Sequence, residues 1–227
     1  MASSAASEVA VYIDGFNLYN GLKHKHGRKY LWLDLESVAR RLLRPDQQLV
    51  LVRYFTAPVR NDPPAQRRQA TYLGALRAAT AVDVVFGRFQ KKRVICYSCR
   101  TQWRTYEEKE TDVSIAIALL EDGVKSRFDT ALLISADSDL CPSVRALKRL
   151  LPEERVIAVF PPKRRSDNLR RAVDAASRWV TQSSADRCCR PRSSTAPAPS
   201  IAGQRVGGVV SLVLGRGPES LSLSTPP

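Results

Sequence analysis

The chain alternates short, continuous apolar runs with amphipathic stretches, and that alternation leaves few folds open. Val9 to Ile13, Leu49 to Phe55, Val82 to Phe86, Thr130 to Ser135 and Arg155 to Phe160 read as strands. Helical patterns fall between them, at about Asn17 to Lys25, Asp34 to Leu43, Pro64 to Thr80, Asp112 to Val124 and Asp139 to Leu150. A strand that is apolar at successive positions has to be covered on both faces. Strand–helix repeats supply that cover, so the pattern predicts an α/β fold of three layers, a mostly parallel central sheet with helices on both faces. The rhythm breaks at 87–106, where "GRFQKKRVICYSCRTQWRTY" predicts a hairpin or small ribbon inserted in the domain.

At 227 residues the chain is long enough for one ordinary domain and something extra. We expect a flexible N-terminus over 1–8, the domain over 9–181, and a disordered tail over 182–227. The tail is rich in Ser, Pro, Gly and Ala and buries too little apolar surface to offset its ordering entropy. The opening "MASSAASEVA" lacks the cationic start and apolar run of a secretory signal, and no stretch approaches the roughly 20 apolar residues of a membrane span. Five cysteines, an odd number without a disulfide-like spread, read as reduced thiols. These features together predict a cytoplasmic protein with no membrane association. A net charge of +14 makes a polyanion the first partner to consider, although a basic surface also serves solubility alone.

The strand "VAVYID" ends on Asp14, and "LLISADSDL" ends on Asp137 with Asp139 just beyond. In open parallel sheets, ligands bind outside the carboxyl ends of strands where the strand order reverses. If the first and fourth strands are neighbours there, Asp14 and Asp137 converge. Asp112 opens the almost wholly apolar helix of "ETDVSIAIALLEDG", and Glu108 would share its face if that helix starts early. Two of the acids have a plainer reading: Asp139 precedes Leu140-Cys141-Pro142 and suits an N-cap, and Asp112 suits a first helical turn, whereas capping does not explain Asp137. Several carboxylates in one pocket, however, are costly unless a cation neutralises them. Hard oxygen donors suit Mg²⁺ or Mn²⁺.

"YIDGFNLYNGLK", "EEKETDVSIAIALLED" and "DTALLISADSDLCPSVRALK" resemble the three motifs of the NYN domain in its LabA-like branch, within the PIN-like nucleases. The resemblance runs from about Val9 to Phe160. It implies a PIN-like (Rossmannoid) sheet, in agreement with the pattern above, and an acidic site of Asp14, Asp112, Asp137 and Asp139. Asn17 falls on the polar position after the first acid, where an amide can orient a carboxylate. Ser135 and Lys109 are candidates to support the site, against the plainer reading of a strand-end hydroxyl and a solvated lysine. The implied activity is metal-dependent hydrolysis of RNA phosphodiester bonds by an activated water.

Cys96 and Cys99 form a single C-x-x-C pair, which is half of a closed zinc site. A homodimer would bring four thiolates together; the alternative is two reduced thiols at a hairpin tip. Basic residues gather at Lys91, Lys92 and Arg93, at Arg100 and Arg104 around Trp103, and at Lys163, Arg164 and Arg165. Charge interleaved with aromatic rings suits single-stranded RNA, as it also suits an ordinary solvated ribbon. The reading is thus a metal-dependent ribonuclease, with a non-catalytic RNA-binding protein on the same fold as the alternative. An aspartyl-phosphate phosphatase needs an acid two residues after the first, where Phe16 stands, and no P-loop is present.

Overall fold

The computed structural model describes residues 6–95, 97–181 and 210–213, with backbone alone at 88–92, 103–109, 180–181 and 210–213. The chain runs β1 (Ser7–Asp14), α1 (Gly15–His26), α2 (Leu35–Leu42), β2 (Gln47–Thr56), α3 (Pro63–Ala79) and β3 (Asp83–Phe86) through its first half. The second half follows as β4 (Arg88–Ile95), β5 (Gln102–Lys109), α4 (Thr111–Val124), β6 (Thr130–Ile134), a single 3-10 turn (Ser138–Leu140), α5 (Cys141–Leu150), β7 (Arg155–Phe160), α6 (Asp167–Ala172) and β8 (Ala175–Thr181). The strands lie in the order β3-β2-β1-β6-β7-β8, all parallel. Within 182–227, Val210–Val213 is described; it forms β9, antiparallel to β8 at the sheet edge, and the rest of the expected tail lies outside the described residues.

β1 shows why the apolar runs are unbroken. Val9, Val11 and Ile13 face one side and join Leu18, Leu22, Val38 and Leu76 from α1, α2 and α3. Ala10 and Tyr12 face the other and join Ile115, Leu119, Val144, Leu147 and Leu169 from α4, α5 and α6. Both faces of the strand are therefore dry. Burying a Leu or Ile in such a layer contributes about 2 kcal/mol, and truncating Leu119 to Ala would cost about 2–5 kcal/mol. On α4, Asp122 is fully buried, satisfied by three donors and charge-balanced by two arginines. It accepts from the Tyr12 hydroxyl at 2.8 Å and from Arg53 and Arg127 at 3.1 Å each.

Four boundaries differ from expectation. β1 begins at Ser7, inside the segment expected to be flexible, because the Ser7 N–H donates to Asp46 O and the Glu8 N–H to the Asp129 carboxylate. Arg155–Phe160 is not the last strand: α6 and β8 follow it. α4 starts at Thr111, which puts Glu108 on β5 rather than on the helix face of Asp112. The predicted helix at Asp139 is split, with a 3-10 turn before α5. The expected ribbon is present as the β4–β5 antiparallel pair, in which Arg88 stands opposite Lys109 and Arg93 opposite Arg104. Among the described residues, no helix is long and apolar enough to cross a membrane.

Candidate metal centre

β1 and β6 are adjacent parallel strands, and the chain leaves them towards opposite edges of the sheet. This is the point where strand order reverses, and it is where Asp14, Asp112 and Asp137 meet. One carboxylate oxygen from each lies within 4.8 Å of the others. Three separate elements deliver them: the tip of β1, the first turn of α4, and the segment after β6.

Each position has a local cause. Asp14 leaves the sheet in extended conformation and caps α1, its Oδ1 accepting the Asn17 N–H at 3.0 Å. Gly15 must follow it, because a Cβ there would lie 2.5 Å from Phe55 O and 2.8 Å from the Tyr54 ring. Asp112 is aimed by the turn before it, in which Glu110 holds a left-handed φ of 76° and lets β5 pass directly into α4. Asp137 caps the 3-10 turn by accepting the Asp139 N–H at 2.9 Å. The capping role expected of Asp139 thus belongs to Asp137.

Ser135 ties the acids together. It is fully buried, donates its hydroxyl to Asp14 Oδ2 at 2.8 Å, and accepts the Asp137 N–H at 3.0 Å. Asn17 closes the same ring through its Oδ1, which accepts the Ala136 N–H at 3.4 Å. Asp14 is almost wholly buried, and desolvation pushes its carboxyl above the ordinary range. The Asn17 and Ser135 hydrogen bonds pull against that rise, and the neighbouring charge of Asp137 adds to it. Burial also raises the Tyr54 phenol to about 12, opposed by a hydrogen bond with Thr56, and the Asp14 charge adds to the rise. Three hard oxygen donors around a raised, crowded carboxyl fit a divalent cation, which would relieve both the desolvation and the repulsion.

The remaining expected residues are not among the three that converge. Asp139 is exposed and stands outside the trio. Lys163, Arg164 and Arg165 are exposed in the loop after β7, at the carboxyl edge as expected, with Arg165 held by Asp167 at 2.8 Å. Arg93 and Arg100 are exposed on the ribbon, whereas the side chains of Lys91, Lys92, Trp103, Arg104 and Lys109 lie outside the described residues. So does Cys96, the first half of the expected zinc pair; Cys99 is exposed and its thiol donates to the Thr101 hydroxyl at 3.2 Å. Sequence reasoning passed over a cluster of aromatic rings beside Gly15, including Trp32, Tyr54 and Tyr72. Its visible signal was "RKYLWLD", Arg28 to Asp34, where two aromatic rings follow a basic pair.

The NYN domain family model matches residues 8–178. A curated relative, 6-hydroxy-3-succinoylpyridine 3-monooxygenase HspA of Pseudomonas putida, is 24% identical over 173 residues, which is 61% of this chain and 54% of the relative. The chain thus spans about half the length of that relative. A crystal structure of a protein of unknown function from Vibrio parahaemolyticus superposes with a TM-score of 0.50 at 19% identity, covering 78% of this chain and 96% of that one, and shows the same fold. NYN domains are members of the PIN-like nuclease superfamily, whose nucleases act with divalent metal ions. With the family match running from β1 into β8 and including the acidic switch point, this chain belongs to the NYN domain family.

Proposed function

We propose that the protein is a Mg²⁺- or Mn²⁺-dependent ribonuclease that hydrolyses RNA phosphodiester bonds. The observation that carries this reading is the convergence of Asp14, Asp112 and Asp137 within 4.8 Å at the sheet's switch point. These three residues would hold the cation, which when bound polarises a phosphoryl oxygen and acidifies a water. Ser135 and Asn17 fix the Asp14 carboxylate and the backbone beside Asp137, so that the donors need no rearrangement. Asp139, exposed two residues from Asp137, is the candidate to accept a proton from an incoming water. Lys163 and Arg164 face solvent at the same sheet edge and suit the phosphates of the strand.

The net charge of +14 supports a nucleic-acid substrate. The name of the Pseudomonas relative describes oxygenation of a pyridine ring, and that relative extends well beyond the matched region. Hydrolysis is the reading favoured here because three clustered carboxylates serve it directly. A second reading, an RNA-binding protein without cleavage, has one observation behind it. Asp14 and Asp137 each cap a helical start, so both have a structural role that needs no metal.

The deciding experiment is cleavage of a mixed single-stranded and structured RNA pool with Mn²⁺, Mg²⁺ or EDTA, run beside Asp137→Asn. Metal-dependent cutting that disappears in the variant supports the nuclease. Salt-sensitive binding without cutting supports the second reading.

A further inference from the structure

A cavity of about 380 Å³ opens beside the metal centre, between α1, α3 and the loop that joins α1 to α2. It has the size of an ordinary small-ligand site. Its inner wall is the Tyr54 ring, packed so closely against Gly15 that a Cβ there would lie 2.8 Å away. The cavity therefore begins one residue from Asp14. Tyr54, Tyr72 and Trp32 form a herringbone, with ring centroids 6.4 Å and 5.8 Å apart and interplanar angles of 87° and 85°. Tyr72 donates its hydroxyl to Leu33 O at 2.8 Å and so pins the Trp32 loop to α3. Two rings are left facing solvent at the mouth, Trp32 at 50% exposure and Tyr19 at 41%. Arg28 and Arg68, both exposed, stand on the rim.

Rings that served only the core would be covered by it, as Tyr12 is. Here a herringbone of rings is held open to water, apolar on its walls, with Arg28 and Arg68 outnumbering the one acid, Asp62, at its rim. Flat, π-faced and edged with polar atoms, a base matches such walls, and its phosphates match the rim. A stacked, paired duplex has no free base to insert. We propose that this cavity takes one unpaired nucleobase of the bound strand and thereby sets which phosphodiester faces the aspartates. The last clause rests on the nuclease reading; the base-binding clause does not.

The test separates the two. Single-stranded RNA carrying one 2-aminopurine is titrated with the full chain in EDTA, and the fluorescence is read. We expect saturable quenching, weakened about tenfold or more by Trp32→Ala and restored by Trp32→Phe. The same base inside a duplex should not be quenched. Tyr19→Ala, a second solvent-facing site, should weaken binding in the same direction. In parallel, Mn²⁺-dependent cleavage is mapped on strands with an abasic nucleotide moved along the sequence, and the cut should shift or fade at one fixed offset. Absent quenching, or equal quenching by wild type and Trp32→Ala, overturns the proposal even where metal-dependent cleavage is seen. Quenching without any cleavage leaves base binding standing and sinks the nuclease reading.

Discussion

The buried hydroxyl of Ser135 donates to Asp14 Oδ2 at 2.8 Å, a hydrogen bond between residues 121 positions apart that joins the tips of β1 and β6. Through its backbone contact to Asp137 the same serine spans both halves of the acidic centre. Ser135→Ala keeps the volume nearly unchanged and removes two hydrogen bonds, the one to Asp14 and the one from the Asp137 N–H, at a cost of about 1–3 kcal/mol. Because the Asp14 carboxylate loses its orientation, affinity for Mn²⁺ should fall by about tenfold to a hundredfold. Calorimetric titration with Mn²⁺ beside a thermal melt checks both numbers. A loss of stability with undiminished metal affinity would reduce Ser135 to a packing role.

Asp14→Asn should abolish metal-dependent cleavage, by roughly a hundredfold or more, while leaving the fold intact. An asparagine oxygen still caps α1, and a neutral amide escapes the desolvation that burdens the carboxylate. Asp14→Ala should differ by losing the cap, at about 1 kcal/mol. Thermal melts of both variants and of wild type distinguish these cases. An Asp14→Asn protein that fails to fold would count against this account of the site.

The raised carboxyl of Asp14 has a signed consequence for stability. Its folded value lies above the ordinary 3.8, so between the two values the folded state binds more protons than the unfolded one. Metal-free wild type should therefore lose stability as pH rises through that window, and Asp14→Asn should lack this component. Saturating Mn²⁺ should restore the stability at higher pH, since it favours the charged form. Urea midpoints measured across the acid range, with and without metal, test the slope.

Asp122 is an internal control for the acidic residues. It is as buried as Asp14, but Tyr12, Arg53 and Arg127 already satisfy it. Asp122→Ala leaves the mostly buried Arg53 guanidinium with only its 3.5 Å ion pair to Asp83, strands the Tyr12 hydroxyl, and should cost about 3 kcal/mol. Denaturant unfolding reads this directly. Metal affinity of the folded fraction should stay at the wild-type level, because Asp122 is not among the converging carboxylates.

If Lys163 and Arg164 grip phosphates, RNA affinity should fall steeply with salt, and the paired change Lys163→Gln with Arg164→Gln should flatten the slope of log K against log salt by about 1 to 2. Fluorescence anisotropy over a salt series gives the slope. An unchanged slope would place the strand elsewhere on the basic surface.

The layers were legible in the sequence because a strand apolar on both faces admits one kind of environment. Val9 to Ile13, Thr130 to Ser135 and Arg155 to Phe160 therefore announced a sheet covered twice; the first two ended at a polar residue, Asp14 and Ser135, and the third at Pro161. β8 was not legible: "AASRWVT" mixes Ser177 and Arg178 into its apolar residues, and the tertiary partner β7 supplies the pairing that its pattern does not advertise. The acids at the strand tips were likewise local facts. Which of them converge was not, since this depends on β1 lying beside β6 and on the left-handed turn at Glu110 that aims α4. Only that arrangement admits Asp112 and leaves Asp139 in solvent, makes a structural strut of Ser135, and gathers Tyr19, Trp32, Tyr54 and Tyr72 around one cavity. Hydrophobic periodicity is a property of neighbours along the chain, whereas a site is a property of neighbours in space, and strand order is what converts the first into the second.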